Sequence, residues 1–399
     1  MAINKMPRIT FQAHSQAGDD CWHSVVISLL RGLAAIEVAA AHLRADVYPS
    51  LRTVVDPSIW FKGFTFATGF AHHAVLVFFV ISGWLVGGSL LDKIRQPDAI
   101  VGYGIDRVTR LWTVLVPTFV LTLLFGFATG IVDAQDIDFH PANDYSAVVF
   151  GANLVGLQTI AVPAFGGNFP LWSLANETWY YILFPLLVVL LRAPGRALRV
   201  ACGATLLVLA ALLPAAIVGY FGIWLLGVAF SRIRIECSTG QRTGWLILVA
   251  ALWAYYRLTG DMNAFTLANL LPDLGCSLVF LVLLSSLQFK AAATSRLRPR
   301  LSRIGTFFAE FSFSLYVVHV PLIGLLQHWT LKRWGLRELS PHEPLHFAIY
   351  LAMLATLLVG AYLSYRLFES HTYQIRRLLK RMLLQRTART PVAPTFRAD

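Results

Sequence analysis

The side chains that could do chemistry stand out because they interrupt apolar stretches. In SVVISLLRGLAAIEVAAAHLRA, Arg31 and His42 are eleven residues apart. That is close to three whole turns, so both lie on one face of a helix, about 16 Å apart along its axis. A guanidinium holds anions, and a neutral imidazole accepts a proton or carries a group, so the pair can address two parts of one long ligand. A plainer arrangement stays open, in which Arg31 pairs with Glu37 or Glu177 and His42 is only interfacial. A second segment, LWSLANETWYYILFP, sets Ser173, Asn176, Glu177 and Tyr180 on one polar stripe of an otherwise apolar helix. Its carboxylate can accept a proton, pair with an arginine or bind a hydroxyl; an interhelical hydrogen-bond seam is the alternative.

A third segment, IGTFFAEFSFSLYVVHVPLIGLL, brings Ser312, Tyr316 and His319 near one face. Pro321 has no N–H, so it frees a backbone carbonyl and favours a kink beside His319. Arg107 and Arg110, three residues apart at a helix start, can grip one phosphate together or merely anchor the chain. In FFVISGWLVGG, Ser82-Gly83 and Gly87-Gly88 allow a neighbouring helix or a ligand to approach closely. His72 and His73 read as interfacial. Cys21, Cys202, Cys237 and Cys276 have no metal-ligand or CxxC spacing, so neither a metal site nor a disulfide framework is indicated.

The elements that must position these groups are membrane helices. The chain is 57% hydrophobic and 14% charged, against about 25% charged for a soluble domain. Its mean hydropathy is +0.63. Apolar runs near 24–42, 72–91, 111–132, 171–191, 198–213, 214–231, 244–258, 267–288, 304–329 and 346–368 predict an all-α integral membrane bundle of about ten helices. With a cytoplasmic N-terminus, 25 of the 33 Lys and Arg fall inside, seven fall outside and Arg31 alone lies within a span. That asymmetry predicts an even helix count with both termini cytoplasmic. It also explains the net charge of +12 without nucleic acid.

Three segments follow from this reading: 1–23, a cytoplasmic N-terminal segment without a cleavable signal; 24–370, the membrane domain; and 371–399, a basic cytoplasmic tail, partly disordered. The semi-apolar stretch 148–163 is expected to be re-entrant or interfacial.

In this order the motifs resemble the acyltransferase 3 family, bacterial membrane O-acyltransferases of polysaccharides, O-antigens and related carbohydrates. The matching elements are Arg31-x10-His42; FFxxSGxL at Phe78, Phe79, Ser82, Gly83 and Leu85; and RxxRL at Arg107, Arg110 and Leu111. They continue with WSLxxExxYY at Trp172, Ser173, Leu174, Glu177, Tyr180 and Tyr181, then SxSLYxxHxP from Ser312 through Tyr316 and His319 to Pro321, then SYxxxE ending at Glu369. Trp84, and Thr178-Trp179, depart from the usual pattern and can shape an acceptor pocket. No SGNH-type domain follows, as in the stand-alone form.

The resemblance implies transfer of an acyl group, most often acetyl, from cytoplasmic acyl-CoA to a saccharide or glycolipid hydroxyl on the far side of the bacterial inner membrane. It implies no metal and no tightly bound cofactor; membrane lipid, acyl-CoA and the acceptor are the partners. His42 would be general base or transient acyl carrier, and Arg31 would hold the thioester end or its oxyanion. Arg107 and Arg110, with Ser82 and Gly83, would serve the donor. Glu177 would orient His42 or Arg31, while Tyr180, Trp172, Tyr316 and His319 would contact donor or acceptor. The rival readings are a proton-coupled transporter or flippase of a sugar or lipid-linked sugar, and a sensor or scaffold without chemistry. Transport does not need an RxxR beside the membrane, which CoA binding does, and the intact Arg31 and His42 disfavour the scaffold.

Overall fold

The computed structural model describes residues 6–15, 21–259, 264–289 and 297–387. The described chain is built from α1 (Trp22–Val47), α2 (Ile59–Ala67), α3 (Ala71–Ser82), α4 (Gly88–Lys93), α5 (Ala99–Thr129), α6 (Ala147–Leu154), α7 (Leu171–Arg192) and α8 (Arg196–Leu212). After them come α9 (Ala215–Phe230), α10 (Thr239–Thr259), α11 (Leu267–Ser286), α12 (Leu297–Glu310), α13 (Ser312–Trp334), α14 (Pro344–Leu367) and α15 (Thr372–Thr387). All ten expected apolar runs are helical. By length and composition, six helical stretches can cross a membrane, and the bent pair α12–α13 would make a seventh. At 17 and 16 residues, α8 and α9 are shorter, and α8 opens on Arg196 and Arg199. The protein is an all-α multi-pass membrane protein.

Helix α1 sits among α3, α12, α13 and α14, and its small buried residues Ala35, Ala39 and Ala41 let these neighbours close on it. Helix α3 leads into α4 through a π-helical turn, Gly83–Gly87. That turn crosses α9 at two facing glycines: a Cβ on Gly83 would lie 2.0 Å from the Trp224 carbonyl oxygen, and one on Gly227 would lie 2.1 Å from that of Val80. Backbone touches backbone here, so Gly83 is a packing residue at this crossing.

A strand pair joins part of the N-terminal segment to the bundle: β1 (Arg8–Phe11) pairs antiparallel with β2 (Ile233–Glu236), Arg8 opposite Glu236 and Phe11 opposite Ile233. Among the described residues these are the two strands. The ninth apolar run bends at Phe311, where α12 and α13 meet at 48°, and α13 continues through Pro321. Glu369 stands at this break. Its carboxylate accepts the Ser314 backbone N–H at 3.1 Å and the Ser314 hydroxyl at 2.6 Å, supplying an N-terminal cap from outside the helix. Pro321 does free the carbonyl of Val317, which accepts from Asn168 Nδ2 at 2.9 Å.

The stretch 148–163 is a short helix and turns in which Asn153 and Gln158 bond to the backbone of the segment and its neighbours. Asn153 donates to the Pro163 carbonyl and accepts from the Phe165 N–H, both at 3.0 Å, and Gln158 donates to the Leu171 carbonyl at 2.9 Å. The basic tail begins as α15, tied to α5 by Arg376 and Lys380 on Asp106 at 3.3 and 2.7 Å. Residues 388–399 of the tail lie outside the described residues.

Because the α3–α9 crossing has no room for a methyl group, Gly227→Ala should cost about 1–3 kcal/mol. Thermal unfolding in detergent should show a lowered midpoint, whereas Gly222→Ala, where a Cβ would meet nothing within 4 Å, should leave it unchanged.

Candidate active site

Two cavities occupy the bundle. The first, about 650 Å³, is lined by Arg31, Ser82, Arg107, Arg110, Glu177 and Tyr181, and closed by Glu369, Tyr373 and Arg376 near the C-terminal end of the described chain. The second, about 690 Å³, is lined by His42, Arg44, His72, Trp172, Asn176 and Arg257. Val75 and Tyr316 line both, so the cavities meet at this pair. Tyr316 is held in place there, its hydroxyl 2.6 Å from Ser173 Oγ and donating to the Pro170 carbonyl at 3.2 Å.

In the first cavity the carboxylates have partners and two guanidiniums do not. Glu177 accepts the hydroxyls of Ser82 and Tyr181, each at 2.5 Å, and Ser82 Oγ in turn accepts from Trp224 Nε1 at 3.1 Å. Glu37, which does not line this cavity, accepts the Phe70 N–H at 2.8 Å. Neither Glu177 nor Glu37 pairs with Arg31, which has no ion pair among the described residues. Arg110 is taken by Glu369 in an ion pair and stacks 4.9 Å over Phe313. Arg107 lies over Tyr103 and Tyr181 at 5.8 and 5.5 Å and faces the cavity without a carboxylate. Arg31 and Arg107 are therefore the available anion-binding groups, and Arg110 is a structural one.

In the second cavity the hydrogen bonds of His42 define its tautomer. His319, fully buried, has Nδ1 3.1 Å from the Leu315 carbonyl, and its Nε2 is 2.9 Å from His42 Nδ1. A carbonyl only accepts, so His319 Nδ1 carries the proton and, in the neutral ring, Nε2 holds a lone pair. His42 Nδ1 must then donate, leaving the lone pair of His42 on Nε2. The rings stack at 5.1 Å, and Phe169 packs edge-on against His42 at 4.8 Å, so the imidazole is fixed in orientation as well as in tautomer.

The sequence-derived residues thus divide. Arg31, Ser82, Arg107, Arg110 and Glu177 line the first cavity, His42 and Trp172 the second, and Tyr316 the junction. Glu177 bonds neither Arg31 nor His42. His319 lines neither cavity but positions His42. Tyr180 is buried in the core against Phe79, Phe221 and Trp224, and it is Tyr181, one residue on, that reaches the cavity. His72 is not interfacial: it bonds Asp273 at 2.9 and 3.0 Å, and Tyr220 donates to the same carboxylate at 2.6 Å. The sequence reading passes over Asp273, although a lone carboxylate in LANLLPDLGCSLVF breaks an apolar run just as Arg31 does.

A family model described as an acyltransferase domain, Acyl_transf_3, matches residues 25–366. The chain belongs to the acyltransferase 3 family. An uncharacterised protein of Haemophilus influenzae is 28% identical over 129 residues, 31% of this chain and 52% of that protein. The chain spans about half the length of this curated relative, and no solved structure matches. The matched region holds Arg31, His42, Glu177 and His319, while Glu369 and α15, which line the first cavity, lie beyond it.

The tautomer is directly measurable. In histidine-¹⁵N-labelled protein, His42 should show a protonated Nδ1 and a bare Nε2. His319→Leu, which removes the acceptor, should convert that signal to a mixture of tautomers; an unchanged spectrum would contradict the arrangement.

Proposed function

We propose that this protein transfers an acyl group, acetyl first among candidates, from acyl-CoA in the Arg31 cavity to a hydroxyl of a saccharide or glycoconjugate in the His42 cavity. The observation that carries the reading is the fixed His42, its Nε2 lone pair free in a cavity that abuts an arginine-lined one at a single residue pair. The positive-inside asymmetry supports an even number of spans, about ten, with both termini in the cytoplasm, and the family resemblance supports residence in a bacterial inner membrane. The Arg31 cavity then opens to the cytoplasm, where acyl-CoA is made.

Arg107 and Arg31 neutralise the phosphates and the inner part of CoA. The rise between Arg31 and His42, about 16 Å, sets the span of an extended pantetheine arm, so the thioester comes to Tyr316 and Val75. His42 Nε2 takes the proton of the acceptor hydroxyl, whose oxygen attacks the thioester carbon. The C–S bond breaks as the tetrahedral intermediate collapses, and the proton on Nε2 passes to the CoA sulfur. Ester and free CoA leave from opposite cavities. His319 keeps the Nδ1 proton of His42 occupied throughout, so that only Nε2 can act.

A positioned general base contributes about 10²–10⁴-fold, and the tests follow that scale. In nanodiscs, His42→Ala should lose transfer by at least a hundredfold with thermal stability retained. His319→Gln, which still offers Nδ1–H an acceptor, should lose less than His319→Leu. Arg31→Ala should raise KM for acyl-CoA. Wild-type turnover by His42→Ala, read as release of CoA thiol with a true acceptor present, would sink the mechanism.

A further inference from the structure

The second cavity carries two guanidiniums that the reaction above does not use. Arg44 follows His42 by two residues on α1, and Arg257 comes from the last turn of α10; both line the cavity wall that holds His42 and Trp172. Arg257 is anchored through Nη2, which donates to the Thr65 carbonyl at 2.8 Å, and its guanidinium lies directly on Gly69, where a Cβ would fall 1.8 Å from Nε. The Nε atoms of both arginines are buried without a hydrogen-bond partner.

One carboxylate, Glu37, lies within electrostatic reach of both arginines without an ion-pair contact to either, and one of its oxygens accepts the Phe70 N–H at 2.8 Å, so a single carboxylate is shared by two guanidiniums. Asp273 is shared between His72 and Tyr220 at 2.9 and 2.6 Å. Among the described residues neither arginine has an ion-pair partner. Two half-buried cations held beside one another in a membrane protein repel and are poorly hydrated, an arrangement that an anion relieves.

We infer that the acceptor is anionic: Arg44 and Arg257 bind a phosphate or carboxylate group of the saccharide, holding it so that a neighbouring hydroxyl reaches His42. The inference takes the His42 cavity as the acceptor's place, and so rests on the acyl-transfer reading. The uncommitted guanidinium edges suit an oxyanion, and Trp172 and Phe265, whose rings lie 4.5 Å apart on the same wall, offer a stacking face for a sugar ring.

The test is equilibrium binding, which needs no turnover. Full-length protein in phosphatidylcholine nanodiscs is titrated calorimetrically at low salt with methyl β-glucoside, methyl β-glucuronide and glucose 1-phosphate. The charged sugars should bind at least tenfold more tightly than the neutral one. The ratio should fall below threefold in Arg44→Gln and Arg257→Gln, and in Gly69→Ala, which displaces the guanidinium and leaves the charge in place. Arg257→Lys should restore part of it. Arg107→Gln, in the other cavity, should keep the ratio.

A stronger response to glucose 1-phosphate than to the glucuronide would assign the anion to a phosphate-linked sugar, and the reverse to an acidic sugar. Equal affinity for all three sugars, no binding at all, or selectivity lost in Arg107→Gln and kept in Arg44→Gln and Arg257→Gln would overturn the proposal. A protein that selects charged sugars but never consumes acyl-CoA would instead overturn the acyl-transfer reading and leave the anion site standing.

Discussion

Hydrocarbon does not solvate ions, and that constraint organises this molecule. An ionisable group within the bundle must be matched by protein or open to a wet cavity, and here the two outcomes separate by charge sign. The carboxylates are matched: Glu369 by Arg110 and Ser314, Glu177 by Ser82 and Tyr181, Asp273 by His72 and Tyr220. The groups left over, Arg31 and Arg107 on one side of Tyr316 and His42, Arg44 and Arg257 on the other, all border cavities.

The same matching shapes the backbone. Glu369 caps α13 beside the 48° bend at Phe311, at the start of the segment carrying Tyr316 and His319. Tyr316 reaches the junction of the cavities and His319 reaches His42 from one helix, one turn apart. The Val317 carbonyl released by Pro321 is taken by Asn168, so the chain just before α7 is fastened to that same turn. The junction is thus fixed from α3, α7 and α13 together.

Much of this could be read from residue type and spacing. Apolar runs located the helices, because burying backbone in lipid leaves few alternatives to helix, and Arg31 and His42 stood out through their cost. What spacing could not give was pairing between distant segments. Arg110 and Glu369 are 259 residues apart, so nothing local distinguishes Arg110, committed to a carboxylate, from Arg107, which is not. Nor could helical periodicity separate Tyr180 from Tyr181, since a one-residue difference on α7 is decided by what α9 packs against. Asp273 obeyed the rule applied to Arg31 and shows that the rule extends to every span. The strand pairing of 8–11 with 233–236 carried no pattern beyond four residues and was not legible.

Glu369 also bears on where this protein, as a physical object, stops. The region of family likeness closes at residue 366, three residues before the carboxylate that neutralises Arg110 and starts α13. Tyr373 and Arg376, further on, are walls of the Arg31 cavity. A chain cut at residue 366 would lose the carboxylate that ends its SYxxxE motif, leaving a half-buried arginine without its counter-ion and a cavity missing one side.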